Sequence, residues 1–321
     1  MSQQIVAVTG ATGFLGRRLV PALKAQGWQV RALRRRIASV ALDDTEWVSG
    51  DLGDEASLAR LVAGSDLVIH CAGAIKARRR DDFFAANAGG TQRLARAAAK
   101  QRLILVSSLV AREPQLSDYA ASKRASEETA RAEHPDRLTI LRPPAIYGPG
   151  DRETLALFSA IRRLPVMPLP GPPSARLALA HVDDVIAAIL HAAGRDLGPG
   201  PFAISGAQPS GYSWREIFTA AAAAVGTRPR LVLVPGWVVS LAGSLAEVVA
   251  VFKSDPAIFG SGKVREIRHP DWSVGHGEMI PGVPAAQVSL SEGFVQTVAW
   301  YRQHGWLAPA RFTGDVVDEV E

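Results

Sequence analysis

Val8-Thr9-Gly10-Ala11-Thr12-Gly13-Phe14-Leu15-Gly16 is the stretch on which the fold turns. It sets three glycines at TGxxGxxG spacing, directly after a strand-like run and at the opening of a helix-like one. In such a turn Gly10 permits the tight bend, and Gly13 lets the backbone approach a pyrophosphate at a positively polarised helix N-terminus. Gly16 allows the helix to pack closely on the strand. A glycine triplet alone would describe any strand-to-helix turn. With a strand before it, a helix after it and further βα units behind it, the stretch reads as a dinucleotide site with contacts from Gly10, Thr12, Gly13, Phe14 and Leu15.

Outward from this turn, short β-branched runs alternate with longer helical stretches to about residue 142. Strands are predicted at Ile5 to Thr9, Gln29 to Leu33, Glu46 to Val48, Leu67 to Cys71, Leu103 to Ser107 and Leu138 to Leu141. Helices are predicted to begin near Gly13, Glu55, Phe83 and Tyr119. Near-continuous apolar strands joined by helices imply an α/β fold, a doubly wound parallel Rossmann sheet with right-handed crossovers. After Tyr147 the Pro- and Gly-rich runs GPGD and LPVMPLPGPPS leave the sheet. The chain is predicted to return through a capped helix in Ala180 to Ala193 and a strand in Pro201 to Ser205. The expected division is a dinucleotide-binding core of residues 1–150 plus about 176–205. A smaller, mainly helical substrate-binding lobe takes about 151–175 and 206–321.

With 321 residues, 47% of them hydrophobic, the chain can bury a large core. A single cysteine, Cys71 in DLVIHCAG, excludes an internal disulfide framework and reads as a small buried thiol without a catalytic role. The N-terminus has no basic region followed by an apolar stretch, so a cytoplasmic protein is expected. A net charge of +5 raises the question of an acidic partner, but no motif organises it for nucleic acid, which is therefore not expected. Arg78, Arg79 and Arg80 read as a solvated loop before a helix. The run from Leu231 to Phe252 carries one charge, Glu247, and is interrupted by Pro235 and Gly236. It predicts a short strand and a buried helix lining an apolar cavity, with peripheral membrane contact as the alternative.

The second strand ends Val30-Arg31-Ala32-Leu33-Arg34-Arg35, where an acid would receive a free ribose 2′-hydroxyl. Arg34 and Arg35 instead suit a 2′-phosphate through forked, charge-assisted hydrogen bonds, which favours NADP(H) over NAD(H). Asp51-Leu52 falls where a carboxylate receives the adenine amino group, a helix N-cap being the competing role. Tyr119 and Lys123 lie four residues apart and so on one helix face, where an ammonium is expected to lower the phenol's pKa. The preceding strand ends in Ser107-Ser108, bringing hydroxyls to the carboxyl edge of the sheet, where doubly wound folds bind ligands.

TGATGFLG, HCAGAIK, Asn87 in NAGGTQRL, VSS, YAASK, LRPPAIYGPGD and HVDDV occur in the order seen in extended short-chain dehydrogenases/reductases, the NAD-dependent epimerase/dehydratase-like group. The chain resembles that family closely over its first 205 residues and loosely over the last third. The resemblance implies that Tyr119 is the general acid or base, that Lys123 holds the nicotinamide ribose, and that Ser108 binds the reacting oxygen. It places cofactor contacts at Cys71, Ala72, Gly73, Asn87, Ser107, Pro143 and Ile146 as well. Hydride would then pass between the nicotinamide and a substrate carbon while Tyr119 delivers a proton to the oxygen.

Sugar-nucleotide epimerases and dehydratases dominate the family. This chain has prolines in LRPPAIYGPG where those enzymes commonly carry an aromatic pair and asparagine. It also has Arg176-Leu177-Ala178-Leu179-Ala180 before HVDD, where an RDF-like segment is common. The apolar 231–252 run and VRALRRR look more like relatives that reduce flavonoid, steroid or long-chain lipid ketones. A hydrophobic small-molecule carbonyl, sterol-like or of 3-oxo-sphingolipid or ceramide type, is therefore expected ahead of a sugar nucleotide. A redox-inactive, cofactor-binding accessory subunit is the third reading, opposed by the intact Ser108, Tyr119 and Lys123. A homodimer is a further expectation from the family.

Overall fold

The computed structural model describes residues 4–35, 44–238 and 260–308. Strands are β1 (Ile5–Thr9), β2 (Gln29–Arg34), β3 (Glu46–Ser49), β4 (Leu67–His70), β5 (Arg102–Val106), β6 (Leu138–Arg142), β7 (Ala145–Tyr147), β8 (Val166–Leu169), β9 (Arg176–Leu177), β10 (Leu179–His181), β11 (Phe202–Ala203), β12 (Arg230–Leu233) and β13 (Asp271–Trp272). Seven of them form one parallel sheet in the order β11-β6-β5-β4-β1-β2-β3. The chain reverses direction across the sheet between β1 and β4, which opens a crevice outside their carboxyl ends.

Helices α1 (Gly16–Ala25) and α7 (Val182–Ala193) cover one face of this sheet. The other face takes α2 (Glu55–Val62), α4 (Gly90–Ala97) and α5 (Asp118–Glu133), with α3 (Arg80–Phe84) running into α4 through a π-helical turn, Ala85–Gly89. The alternation of β1 divides it between them: Val6 and Val8 pack with Leu19, Leu23 and Ile189, whereas Ala7 packs with Leu58, Leu61 and Leu94. Both faces are apolar, so the central strands β1, β4, β5 and β6 are buried on both sides, as their composition requires, while the edge strand β3 is only partly covered.

A separate cluster joins α6 (Leu155–Arg163), α8 (Trp214–Val225) and α10 (Leu290–Gln303) around Phe158, Phe218, Phe294 and Tyr301. Phe158 and Tyr147 both meet Phe294 edge-on, at 5.1 and 5.0 Å between ring centroids. α9 (Ser261–Arg268) lies beyond it, against the start of α5.

The element boundaries differ from the sequence reading in instructive places. The first helix begins at Gly16 rather than near Gly13, because the residues after Gly10 are taken up by turns. Arg80 opens α3 instead of lying in a solvated loop; it pairs with Asp118 at 2.6 Å and lies over the Phe84 ring. The C-terminal third, expected to be mainly helical, also contributes strands: β12 pairs with β8 and β13 with β9. In the apolar 231–252 run the predicted strand is seen as Arg230–Leu233, while residues 239–252 lie outside the described residues, as do Arg36 and the acidic tail 312–321. Among the described residues no helix is long and apolar enough to cross a membrane.

Candidate active site

Gly10 has φ +74°, and a Cβ there would stand 2.7 Å from both Ala72 N and the Cys71 carbonyl carbon. A Cβ on Gly16 would meet the Gly10 carbonyl oxygen at 2.2 Å. Only glycine satisfies either position, so the turn after β1 is pressed against the turn after β4 at the sheet's reversal point. The Gly13 amide donates to the Gly10 carbonyl at 3.0 Å. Leu15 gives α1 no side-chain cap and its first turn holds no acid, so the polarised N-terminus is suited to an anion from outside the chain. These features fit a dinucleotide's pyrophosphate. Thr12 and Gly13 are exposed there, with Phe14 and Leu15 half-buried beside them.

At the edge of β2, Arg34 lies over the Trp47 ring at 5.0 Å, and its buried Nε has no hydrogen-bond partner among the described residues. Arg35 is exposed next to it. Asp51 accepts a hydrogen bond from the Gly53 amide at 2.7 Å. The N-cap of α2 belongs instead to Asp54, which accepts from Ser57 N, so capping does not compete for Asp51. Leu52 packs where a Cβ on Gly90 would touch it, and its carbonyl accepts from Arg93 Nε at 2.6 Å.

Ser117 caps α5 by accepting from Ala120 N at 3.0 Å, which fixes the first turn that carries Tyr119. The Ser108 hydroxyl and the Tyr119 phenol share a hydrogen bond. Lys123, 6% exposed, donates from Nζ to the Val106 carbonyl at 3.0 Å. The structure therefore brings the three predicted side chains to the carboxyl edge of β5. It does not give the expected acid phenol: burial pushes Tyr119 up to about 12, the Ser108 hydrogen bond opposes this, and the Glu266 carboxylate on α9 adds to it. Burial drives Lys123 down to about 8 against the pull of Glu127 and Cys71. The Cys71 thiol, half-buried, is pushed up to about 12 by the same desolvation and is no nucleophile. Pro143 is buried, its carbonyl accepting from Leu109 N at 2.8 Å, and Ile146 packs against the core beneath the crevice.

The underside of α5 carries Ser122, Ser126 and Glu127, which the sequence reading did not single out, beside the predicted Asn87. Asn87, in the π-helical turn, accepts from Ala74 N and donates to Ala74 O and Ser122 Oγ at 2.7, 3.0 and 2.8 Å. A Cβ on Gly73 would lie 2.8 Å from the Asn87 Oδ1 and 3.9 Å from Lys123 Nζ, so loop, amide and ammonium converge there. Ser126 meets Thr91, Thr91 meets His70 Nε2, and His70 Nδ1 meets Thr9, whose hydroxyl receives the Ala72 amide. The hydroxyl of Ser107, a predicted cofactor contact, donates to the buried Glu127 at 2.6 Å. Arg142 grips the same carboxylate with two bonds of 2.8 and 2.7 Å. Glu266 accepts a hydrogen bond from Ser117 and an ion pair from Lys263. The one signal available for Glu127 was its position four residues after Lys123, which puts a second charge on the same helix face.

A doubly wound sheet, a glycine turn at its reversal point and a Ser-Tyr-Lys set beside it define a dinucleotide-dependent enzyme of the extended short-chain dehydrogenase/reductase type. The chain belongs to the NAD dependent epimerase/dehydratase family, whose model matches residues 6–204. It is 47% identical over 308 residues to the ceramide reductase of Caulobacter vibrioides (strain NA1000 / CB15N), spanning 94% of this chain and 96% of that one. With sterol demethylase protein B of Methylococcus capsulatus (strain ATCC 33009 / NCIMB 11132 / Bath) it shares 36% identity over 170 residues, 45% of this chain and 52% of the other. The fold also matches the structure of MoeE5 in complex with UDP-glucuronic acid and NAD, with a TM-score of 0.69 at 24% identity over 94% and 99% of the two chains.

Proposed function

We propose that this enzyme reduces a ketone on a long-chain lipid of 3-oxo-sphingolipid or ceramide type, with NADP(H) as cofactor. The observation that carries the reaction is the Tyr119 phenol, hydrogen-bonded by Ser108 and held in its protonated form far above neutral pH. When bound, the cofactor supplies the hydride. Ser108 and Tyr119 together receive the substrate oxygen, and Tyr119 passes its proton to that oxygen as charge develops on it. Lys123 places a positive charge behind the pair and would hold the nicotinamide ribose beside Gly73 and Asn87, with Pro143 and Ile146 beside the ring.

The substrate class rests on the full-length similarity to a ceramide reductase, supported by the partial similarity to a sterol-modifying protein. Ile75, 58% exposed two residues beyond Gly73, adds an apolar group on the loop that follows β4. For the cofactor, the unpartnered Arg34 Nε and the exposed Arg35 support a 2′-phosphate. Dimerisation is proposed on family grounds, and sedimentation equilibrium tests it.

The test incubates the purified chain with reduced cofactor and 3-oxo-sphingolipid, 3-oxo-ceramide or a sterol ketone in detergent, following cofactor oxidation, and with oxidised cofactor and UDP-sugars, following the product sugars by chromatography because epimerisation and dehydration return the cofactor unchanged. Turnover with the long-chain ketones and none with UDP-sugars is expected. Turnover with UDP-sugars alone would establish the epimerase/dehydratase reading, and none with any substrate the accessory-subunit reading. NADPH should be preferred to NADH, and Arg34→Glu should weaken NADPH by about tenfold or more while sparing NADH.

A further inference from the structure

Ser108 and Tyr119 stand at the two ends of one short segment, and the C-terminal lobe holds that segment at both ends. Near its start Arg112, closing the 3₁₀ turn Leu109–Arg112 that Ser108 caps, donates to the carbonyls of Asp271 and Ser273 at 2.8 and 2.9 Å. Near its end Arg265 of α9 donates from Nε to the Leu116 carbonyl at 2.7 Å. Trp272 ties the two contacts together by donating from Nε1 to the Glu266 carbonyl at 2.8 Å. A Cβ on Gly262 would stand 2.9 Å from Ser117 Cβ, so α9 meets the N-cap of α5 closely enough to require glycine there.

Glu266, 4% exposed, completes this contact: its Oε1 accepts a hydrogen bond from the Ser117 hydroxyl, and its Oε2 meets Lys263 Nζ at 3.0 Å. The Ser117 oxygen in turn accepts from Ala120 N at 3.0 Å. A hydroxyl has one proton to give. Handing it to a carboxylate fixes the rotor, leaves a lone pair for the helix amide and polarises the oxygen that accepts there. An apolar side chain could pack against this cap at less cost than a buried carboxylate, but it would give the Ser117 hydroxyl no direction. We propose that Glu266 is a positioning residue for the proton transfer: by fixing Ser117 it sets the first turn of α5, and with it where the Tyr119 phenol lies relative to Ser108. The same carboxylate opposes ionisation of the phenol, so its charge also bears on Tyr119. The inference rests on the reading of Tyr119 as the proton donor.

The full chain is isotope-labelled at tyrosine Cζ for NMR, and the Tyr119 resonance, one of four, is assigned by its loss in Tyr119→Phe. Glu266→Ala and Ser117→Ala should displace that resonance alike, and the double variant no further, as two groups acting through one contact do. The resonances of Tyr147 and Tyr301, in the aromatic cluster, should stay in place. With NADPH and the long-chain ketone, each single variant should lower kcat about tenfold or more and leave KM within about twofold of wild type. Glu266→Gln, whose amide oxygen still accepts from Ser117, should restore kcat to within about threefold of wild type. Gly262→Ala presses α9 away from Ser117 without changing a charge and should also displace the Tyr119 resonance, which keeps the inference testable if Glu266→Ala fails to fold. The inference is overturned by a Tyr119 resonance that neither Glu266→Ala nor Gly262→Ala moves, by effects on kcat that multiply in the double variant, or by a raised KM at wild-type kcat. Normal turnover by Tyr119→Phe would remove the proton-donor reading and the inference with it. Wild-type protein that turns over no ketone would remove the lipid-reductase reading alone, and the resonances would still decide the role of Glu266.

Discussion

Tyr119 and Lys123 show how one helical turn can hold two groups at very different proton affinities. Burial raises the phenol and depresses the ammonium, because each loses water around its charged form. The phenol is thus a proton donor throughout the neutral range, which suits reduction; oxidation needs the rarer phenolate. Replacing Tyr119 by Phe should lower turnover by about 10²–10⁴ while cofactor affinity, read by fluorescence titration, changes little. Lys123, pushed down to about 8, is charged below that pH and loses its proton above it. The pH profile of kcat/KM for ketone reduction should therefore fall through an alkaline limb near 8, before the phenol ionises; a flat profile to pH 10 would contradict this assignment. Spacing in the sequence identified the pair. Their ionisation was not legible there, since it depends on burial, on Cys71 beside Lys123, and on Ser108 and Glu266 beside Tyr119, the last of these 147 positions after it.

As an element, α5 is unusual in burying polar groups along its inner face: Ser122, Lys123, Ser126 and Glu127. A helix packed on a sheet ordinarily buries apolar side chains there, and each of these groups is tolerated because a partner from another element meets it. Glu127 is the extreme case, fully buried and held by Arg142 from β6 and Ser107 beyond β5. Glu127→Ala would leave Arg142 with a poorly compensated charge and should cost about 3–5 kcal/mol, read from denaturant midpoints. Its effect on turnover should follow from displacement of the helix that carries Lys123. From the sequence, the helix and its exposed face were readable. The polar underside was not, because its partners come from α4 and the turn before it and from the ends of β5 and β6.

Across the whole molecule, the carboxyl edge of the sheet is a continuous polar layer beneath an otherwise apolar core. His70 lies at its centre, bridging Thr9 on β1 and Thr91 on α4, with its pKa pushed from 6.5 down to about 3 by burial and then by Lys123. A depressed folded-state pKa means that the unfolded chain takes up the proton first. The contribution of neutral His70 is therefore complete above pH 6.5 and is lost as pH falls toward 3. Thermal unfolding against pH should show this acid limb, and His70→Asn, which does not titrate, should flatten it while lowering the plateau. By itself the sequence determined the parallel α/β sheet, the glycine turn and the Ser-Tyr-Lys set, since these follow from periodicity, conformational freedom and spacing within short stretches. Tertiary structure alone decided which hydroxyl meets the phenol and which meets Glu127, and that Arg142 and Glu266 reach the groups of α5. Those outcomes depend on strand order and burial, which bring together residues that no local pattern relates.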